Sequence, residues 1–173
     1  MKKNCRTAAC ILVIVSLIFA VSCSKSTYGN PEYGYSFKAP DGIDIHKDAS
    51  NFDYLIVKNG TDPSSPPSYA GVYVEDQKTN ILTPENFVNS IILSVNMIGG
   101  DPEILENTLF EERGISRARL EYLVNYEEGS VSTLFLMAFK KNLVYTVVVT
   151  GSGNDYGYMR AAAYSVFSSM RFR

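Results

Sequence analysis

Leu134 to Phe139 (LFLMAF) and Leu143 to Val149 (LVYTVVV) are two almost unbroken apolar runs, separated only by Lys140-Lys141-Asn142. Side chains on a strand alternate between faces, so a strand without polar alternation needs cover on both sides. A hairpin of this kind belongs at the centre of a sheet, with a packed layer above and below it. One of those layers is legible further on. Met159, Ala162, Ala163, Val166, Phe167 and Met170 recur at helical spacing after Gly151-Ser152-Gly153, and Asn154 or Asp155 is placed to cap the helix.

The remaining elements read as strands and one more helix. Tyr35, Phe37 and Ala39 alternate with polar residues up to a turn at Pro40-Asp41-Gly42; Ile43 and Ile45 begin a short second strand. Asp53 to Lys58 and Ala70 to Glu75 are the third and fourth, on either side of the breaker-rich loop Asn59 to Ser68 (NGTDPSSPPS). Thr83 as N-cap, Pro84 at the first helical position and Glu85 in the first turn start a helix carrying Phe87, Ile91, Val95 and Ile98, and Gly99-Gly100 ends it. From Glu106 to Thr150 the chain reads as a meander, in which Thr108 to Glu112 pairs with the strand Arg117 to Tyr126 and Glu128-Gly129 turns the chain. The fold class expected is α+β: a mainly antiparallel β-sheet flanked by helices on both faces, an α/β/α sandwich.

The N-terminus constrains location rather than fold. Lys2, Lys3 and Arg6 precede an apolar run from Ala8 to Val21, the length of a signal-peptide core and shorter than the roughly 18 residues of a spanning helix. Ala20-Val21-Ser22-Cys23 follows and resembles the lipobox of bacterial lipoproteins, with Ala20 and Ser22 in place of the commoner Leu and Gly or Ala. The resemblance implies cleavage before Cys23 and a covalent lipid, palmitate among its acyl chains, on that cysteine. Ordinary cleavage near Ala20 or Ser22, or an uncleaved anchor, would leave Cys23 a plain thiol. Cys5 and Cys10 leave with the leader, so Cys23 has no intramolecular disulfide partner, which favours modification. The expected organisation is a leader over 1–22, a flexible tether over 23–32 (Ser24 to Glu32 being small and polar) and a single domain over 33–173. Removing the leader's three basic residues leaves 13 basic against 18 acidic side chains, a net charge near −5. That balance argues against a nucleic-acid partner, which needs a basic face.

The order of elements resembles the PsbP/Mog1/DcrB superfamily. The likeness is carried by the opening Tyr33-Gly34-Tyr35-Ser36-Phe37-Lys38-Ala39-Pro40-Asp41-Gly42, the helix from Thr83, the turn Asn142-Leu143-Val144-Tyr145 and the closing Ser168-Ser169-Met170-Arg171-Phe172. Ile43 stands where the family often carries Trp. The resemblance implies a binding or assembly role in a membrane complex or envelope, with no shared catalytic residue and no cofactor beyond the lipid.

The residues themselves offer little chemistry. Any Ser-His-Asp or Cys-His site would have to use His46, the only histidine. Asp44, His46 and Asp48 share one strand face and form the best metal set, with Asp41 nearby. Residues two apart on a strand stand about 6.6 Å apart, which makes convergence on one ion poor and a solvated polar face the better account. Gly151-Ser152-Gly153 lacks the lysine of a phosphate loop. Glu111, Glu112 and Arg113 read as a solvated strand end, and Arg117, Arg119 and Glu121 as a salt ladder. Tyr156 and Tyr158 are candidates for a partner-binding edge, and core burial is the competing reading. The function expected is non-catalytic: an envelope lipoprotein held on a membrane, the outer one if there is one, that binds a protein partner. The alternative is a carrier or sensor of a small ligand, lipid or metal ion.

Overall fold

The computed structural model describes residues 26–49, 51–78, 81–98, 102–127 and 129–173. The leader, Cys23, the Gly99-Gly100 helix stop and Glu128 of the expected turn lie outside them. Ten strands and two helices follow in the order β1 (Thr27–Asn30), β2 (Tyr35–Lys38), β3 (Ile43–Ala49), β4 (Phe52–Lys58), β5 (Tyr69–Asp76), α1 (Pro84–Ile98), β6 (Glu103–Glu112), β7 (Ile115–Tyr126), β8 (Gly129–Lys140), β9 (Leu143–Gly151), α2 (Gly153–Ser169) and β10 (Arg171–Phe172).

Seven strands form one antiparallel sheet in the order β3-β4-β5-β9-β8-β7-β6. The two apolar runs occupy β8 and β9, inside the sheet, and β9 pairs with both β8 and β5. Their alternate residues go to different cores. Leu134, Leu136, Ala138, Tyr145, Val147 and Val149 pack with Tyr156, Met159, Ala163, Val166 and Phe167 of α2. Met137 and Val144 pack with Phe87 and Val88 of α1 and with Ala118 and Leu120 of β7. The expectation of helical layers over both faces is met only coarsely. The described residues are mostly β-sheet with two helices, and α1 covers part of its side, against β7 to β9.

Local chemistry explains the boundaries. The β6–β7 hairpin turns at Arg113-Gly114, both with positive φ (54° and 72°), as a two-residue hairpin that follows the sheet twist requires. Thr83 Oγ1 accepts a hydrogen bond from Asn86 N at 3.2 Å, the N-cap expected from the sequence. At α2 the expectation fails: Ser152, extended at φ −137°, is the N-cap and makes no side-chain capping bond, while Asn154 and Asp155 already lie inside the first turn. Gly153, at φ 59°, turns the chain into the helix two residues or more earlier than the capping pattern suggested.

The tether expectation is also corrected over four residues. Thr27–Asn30 is a strand, paired in register with β2 from Thr27↔Lys38 to Asn30↔Tyr35. Strand β10 pairs on the other side of β2, making a second, three-stranded sheet. Tyr28, Tyr35, Phe37 and Phe172 turn inward from it onto the α2-side core. Tyr28 carries the ring that a solvated tether would expose; instead it stacks on Phe37 at 5.8 Å and meets Tyr54 edge-on. The Tyr54 hydroxyl donates to Gly29 O at 2.7 Å and accepts from Gly29 N, so β1 is pinned to the large sheet as well.

Candidate functional site

Asp44, His46 and Asp48 all lie on β3, but they do not converge. The Asp44 carboxylate accepts a hydrogen bond from Gly60 N at 3.1 Å. Asp48 sits in the left-handed region at φ 52° with Lys47 Nζ 3.7 Å away. His46 Nε2 is buried without a hydrogen-bonding partner in the protein. Among the described residues no group of three or more His, Cys, Asp or Glu side chains is placed to hold a metal ion.

The two candidate tyrosines separate. Tyr156 is buried in the α2-side core, and its hydroxyl donates to Glu121 Oε1 at 2.7 Å; it is not part of an exposed edge. Its place on the helical stripe, three residues before Met159, was the signal for burial. Tyr158 is exposed, with its hydroxyl donating to Gly42 O at 3.0 Å and Lys58 Nζ 5.7 Å from its ring.

Arg117, Arg119 and Glu121 form the salt ladder that the alternation of β7 suggested, and more besides. Arg117 reaches Glu112 at 3.1 Å and Arg119 reaches Glu106 at 3.7 Å, both diagonally across the β6–β7 pair. Glu121 instead reaches up to α2, where Arg160 donates from Nε and Nη2 to both carboxylate oxygens at 2.8–3.2 Å. Burial pushes the Glu121 carboxyl up, but the hydrogen bonds from Arg160 and Tyr156 and the Arg160 charge outweigh it and hold it below the usual range. The same contact raises the Arg160 guanidinium, and burial next to Glu121 raises the Tyr156 phenol. Arg117 stacks on Phe167, and Arg119 and Arg160 both lie over Tyr164. The helical partner Arg160 was missed because it is 39 residues away and its spacing carries no sign of Glu121. Chemically the cluster holds a helix to a sheet. It contains a carboxylate already committed to three donor groups, two of Arg160 and the Tyr156 hydroxyl.

The surface on the α1 side differs. Strand β6 is one of the two edges of the large sheet, the other being β3; it is ten residues long and exposed along most of its length. Ile104, Leu105 and Leu109 present apolar surface there, with a bulge between Ile104 and Glu106. On α1, the helix that leads into this strand, Leu93 is 63% and Met97 86% exposed. A groove of about 420 Å³ runs between Thr83-Pro84-Glu85 and Leu109, Phe110 and Arg117. Sequence reasoning missed this edge because Thr108 to Glu112 alternates no differently from a strand inside the meander. No helix among the described residues is long and apolar enough to cross a membrane.

The seven-stranded sheet with its two helices matches known structures. Cyanobacterial PsbP (CyanoP) from Synechocystis sp. PCC 6803 superimposes with a TM-score of 0.64 over 88% of this chain and 95% of that one, at 16% identity. The domain has the PsbP-like fold. LpqN of Mycobacterium tuberculosis, described as involved in cell envelope biogenesis, matches with a TM-score of 0.53 over 87% of this chain and 86% of that one, at 12% identity. A protein from Bacteroides thetaiotaomicron matches at 0.57 and 9% identity; 87% of this chain covers 49% of that one. No protein-family model and no curated protein sequence matches the chain. At these identities the likeness concerns the PsbP-like fold alone; Ile43, after Pro40-Asp41-Gly42, packs against the α2-side core.

Proposed function

We propose that the chain is a non-catalytic lipoprotein of the bacterial cell envelope, held on a membrane through lipid at Cys23, and that its PsbP-like domain is a binding or assembly module for a protein partner. The observation that carries the partner reading is the exposed β6 edge with Ile104, Leu105 and Leu109, next to α1 with Leu93 and Met97. A ten-residue strand edge with no described strand beyond it offers main-chain donors and acceptors to an added strand, and the apolar side chains offer it pockets. The description of LpqN as involved in cell envelope biogenesis supports the envelope setting. The Lys2-Lys3-Arg6 leader ending at Cys23 supports the lipid.

The test is a cross-linking pull-down of the tethered protein from membranes with the photoreactive group on β6, at Asn107, compared with the same group at Ser165 on α2. Both residues are exposed. A partner captured from position 107 and lost in Leu105→Lys and Leu109→Lys supports the reading; equal capture from both positions sinks it. Mass spectrometry of the mature N-terminus tests the lipid, and an unmodified Cys23 would overturn that part. The groove beside Thr83 supports a second reading as a small-ligand carrier, since its volume is in the range of ligand sites. Native mass spectrometry that shows an added small molecule, released by Leu109→Lys, would favour it.

A further inference from the structure

Four residue steps separate Cys23 from Thr27, where β1 begins. Fully extended, they reach at most about 14 Å. Strand β1 cannot lengthen this reach without unpairing. It is bonded along β2, Ser26 O accepts from Ala39 N at 3.1 Å, and Tyr54 holds Gly29. A lipid at Cys23 therefore holds one place of the domain, the three-stranded sheet, close to the bilayer.

That sheet has two unlike faces. Its inward face is aromatic. Pairing puts Thr27 beside Lys38, and Gly29 and Arg171 beside Ser36, on the outward face. Arg173 follows β10, its N donating to Gly34 O at 2.7 Å. Lys38, Arg171 and Arg173 are all exposed, and the strands place no acidic residue on this face. Glu32 in the β1–β2 turn and Asp41 beyond β2 flank it. Lys140 adds a fourth cation at the rim, its Nζ donating to Arg173 O at 2.7 Å. Arg171 also donates to Met170 O at 3.1 Å, next to the C-terminal end of α2. A hollow of about 170 Å³, bounded by Thr27, Gly29, Ser36 and Arg173, opens between them. In a chain that carries a net charge near −5 without its leader, this concentration of cations beside the anchored end runs against the overall charge.

We propose that the outward face of the three-stranded sheet docks on an anionic phospholipid surface, that of the membrane which holds the Cys23 lipid. The proposal deepens the envelope reading and rests on the lipid at Cys23. Charge complementarity selects the occupant, and the short reach brings it within range. Each cation near an anionic surface strengthens attachment about fivefold, and the effect fades over a Debye length of about 8 Å. Docked in this way, the domain keeps α1, which lies across the large sheet, turned away from the bilayer.

The experiment uses the mature acylated protein reconstituted on vesicles of phosphatidylcholine with and without phosphatidylglycerol. Single labels at Ser36→Cys and Asn89→Cys report on the small sheet and on α1; the Cys23 thiol is blocked by its lipid. Quenchers buried in the bilayer should quench the label at position 36 when phosphatidylglycerol is present, and leave the label at 89 bright. Lys38→Glu with Arg173→Glu should relieve the quenching, and so should high salt on the otherwise unchanged chain, which covers the case of a poorly folded variant. Equal quenching at 36 with and without phosphatidylglycerol, or equal quenching at 36 and 89, overturns the proposal. Retention on phosphatidylcholine alone reads the lipid anchor by itself. If that fails, the lipid reading falls separately, and the same chain's binding to phosphatidylglycerol vesicles still decides the face: no binding overturns it. Position 36 staying bright while an acidic protein from membranes protects it would assign the face to a protein instead.

Discussion

On one side of the large sheet, Tyr35, Phe37, Tyr54 and Tyr145 close beneath α2 and a second small sheet, and Glu121 ties helix to strand through Arg160. On the other side α1 covers β7 to β9 alone, and Leu93, Met97, Ile104 and Leu109 remain exposed. The two sides share the central strands, so composition of the sheet does not make the difference. Extra cover does: β1, β2 and β10 close the α2 side, and among the described residues the α1 side has no equivalent. The closed side has its aromatic rings in offset and edge contacts at 4.6–6.4 Å. The open side keeps an edge strand available for another chain.

The largest effect should come from the closed side. Phe37→Ala removes a ring that meets Tyr28, Tyr35 and Tyr54, and should cost about 3–5 kcal/mol by urea unfolding. Phe87→Ala on the open side, buried against Phe139, should cost no more than about 3 kcal/mol, because its partly exposed neighbours can relax into the space. Equal losses would break the comparison.

Glu121→Gln should cost about 2–3 kcal/mol, since Arg160 loses its charged partner and Tyr156 an ionised acceptor. A double-mutant cycle with Arg160→Met isolates the pair; a coupling energy near zero would show that α2 is held by packing alone. The pH dependence sharpens this. The folded Glu121 carboxyl titrates below its ordinary value, so its contribution is present above the unfolded pKa and is lost as pH falls through the folded one. Glu121→Gln should flatten the acid limb of the stability curve. At the other end, Tyr35 and Tyr156 are raised, by burial first and then by Asp53 and Glu121. Their unfolded forms ionise near pH 10 and their folded forms do not, so stability should fall as pH rises past about 10.

Thr83→Ala removes the cap of α1 and should cost about 1 kcal/mol in thermal or urea unfolding. The smallest stability change belongs to Leu105→Lys on the open edge, within about 0.5 kcal/mol, with capture of a partner lost all the same. A large destabilisation there would mean that β6 is core rather than interface.

Much of this contrast was readable along the chain. The runs at Leu134–Phe139 and Leu143–Val149 placed β8 and β9 inside the sheet, and Thr83-Pro84 marked the start of α1. Tyr156 and Tyr158 show where such reading stops. They differ by two positions on one helix, and only the turn of α2 against β7 sends the first to Glu121 and the second to solvent. Asp44, His46 and Asp48 lie two apart along β3, but Asp48 adopts a left-handed backbone, and among the described residues they form no group placed to hold a metal ion.

By itself, the sequence determined the local periods: alternation for strands, a helical stripe for α2, and a basic then apolar stretch before Cys23. These are short-range consequences of side-chain geometry and capping. Tertiary structure decided which strand is an edge, since β6 alternates like its neighbours and only pairing shows that no described strand lies beyond it. It decided that Thr27–Asn30 is a strand, because one aromatic residue among three small or polar ones has no period of its own and acquires one from β2. It decided, too, that Lys38, Arg171 and Arg173, spread over 136 positions of the chain, lie on one face. Contacts at that separation leave no local trace, because loop closure costs entropy that only the completed core repays.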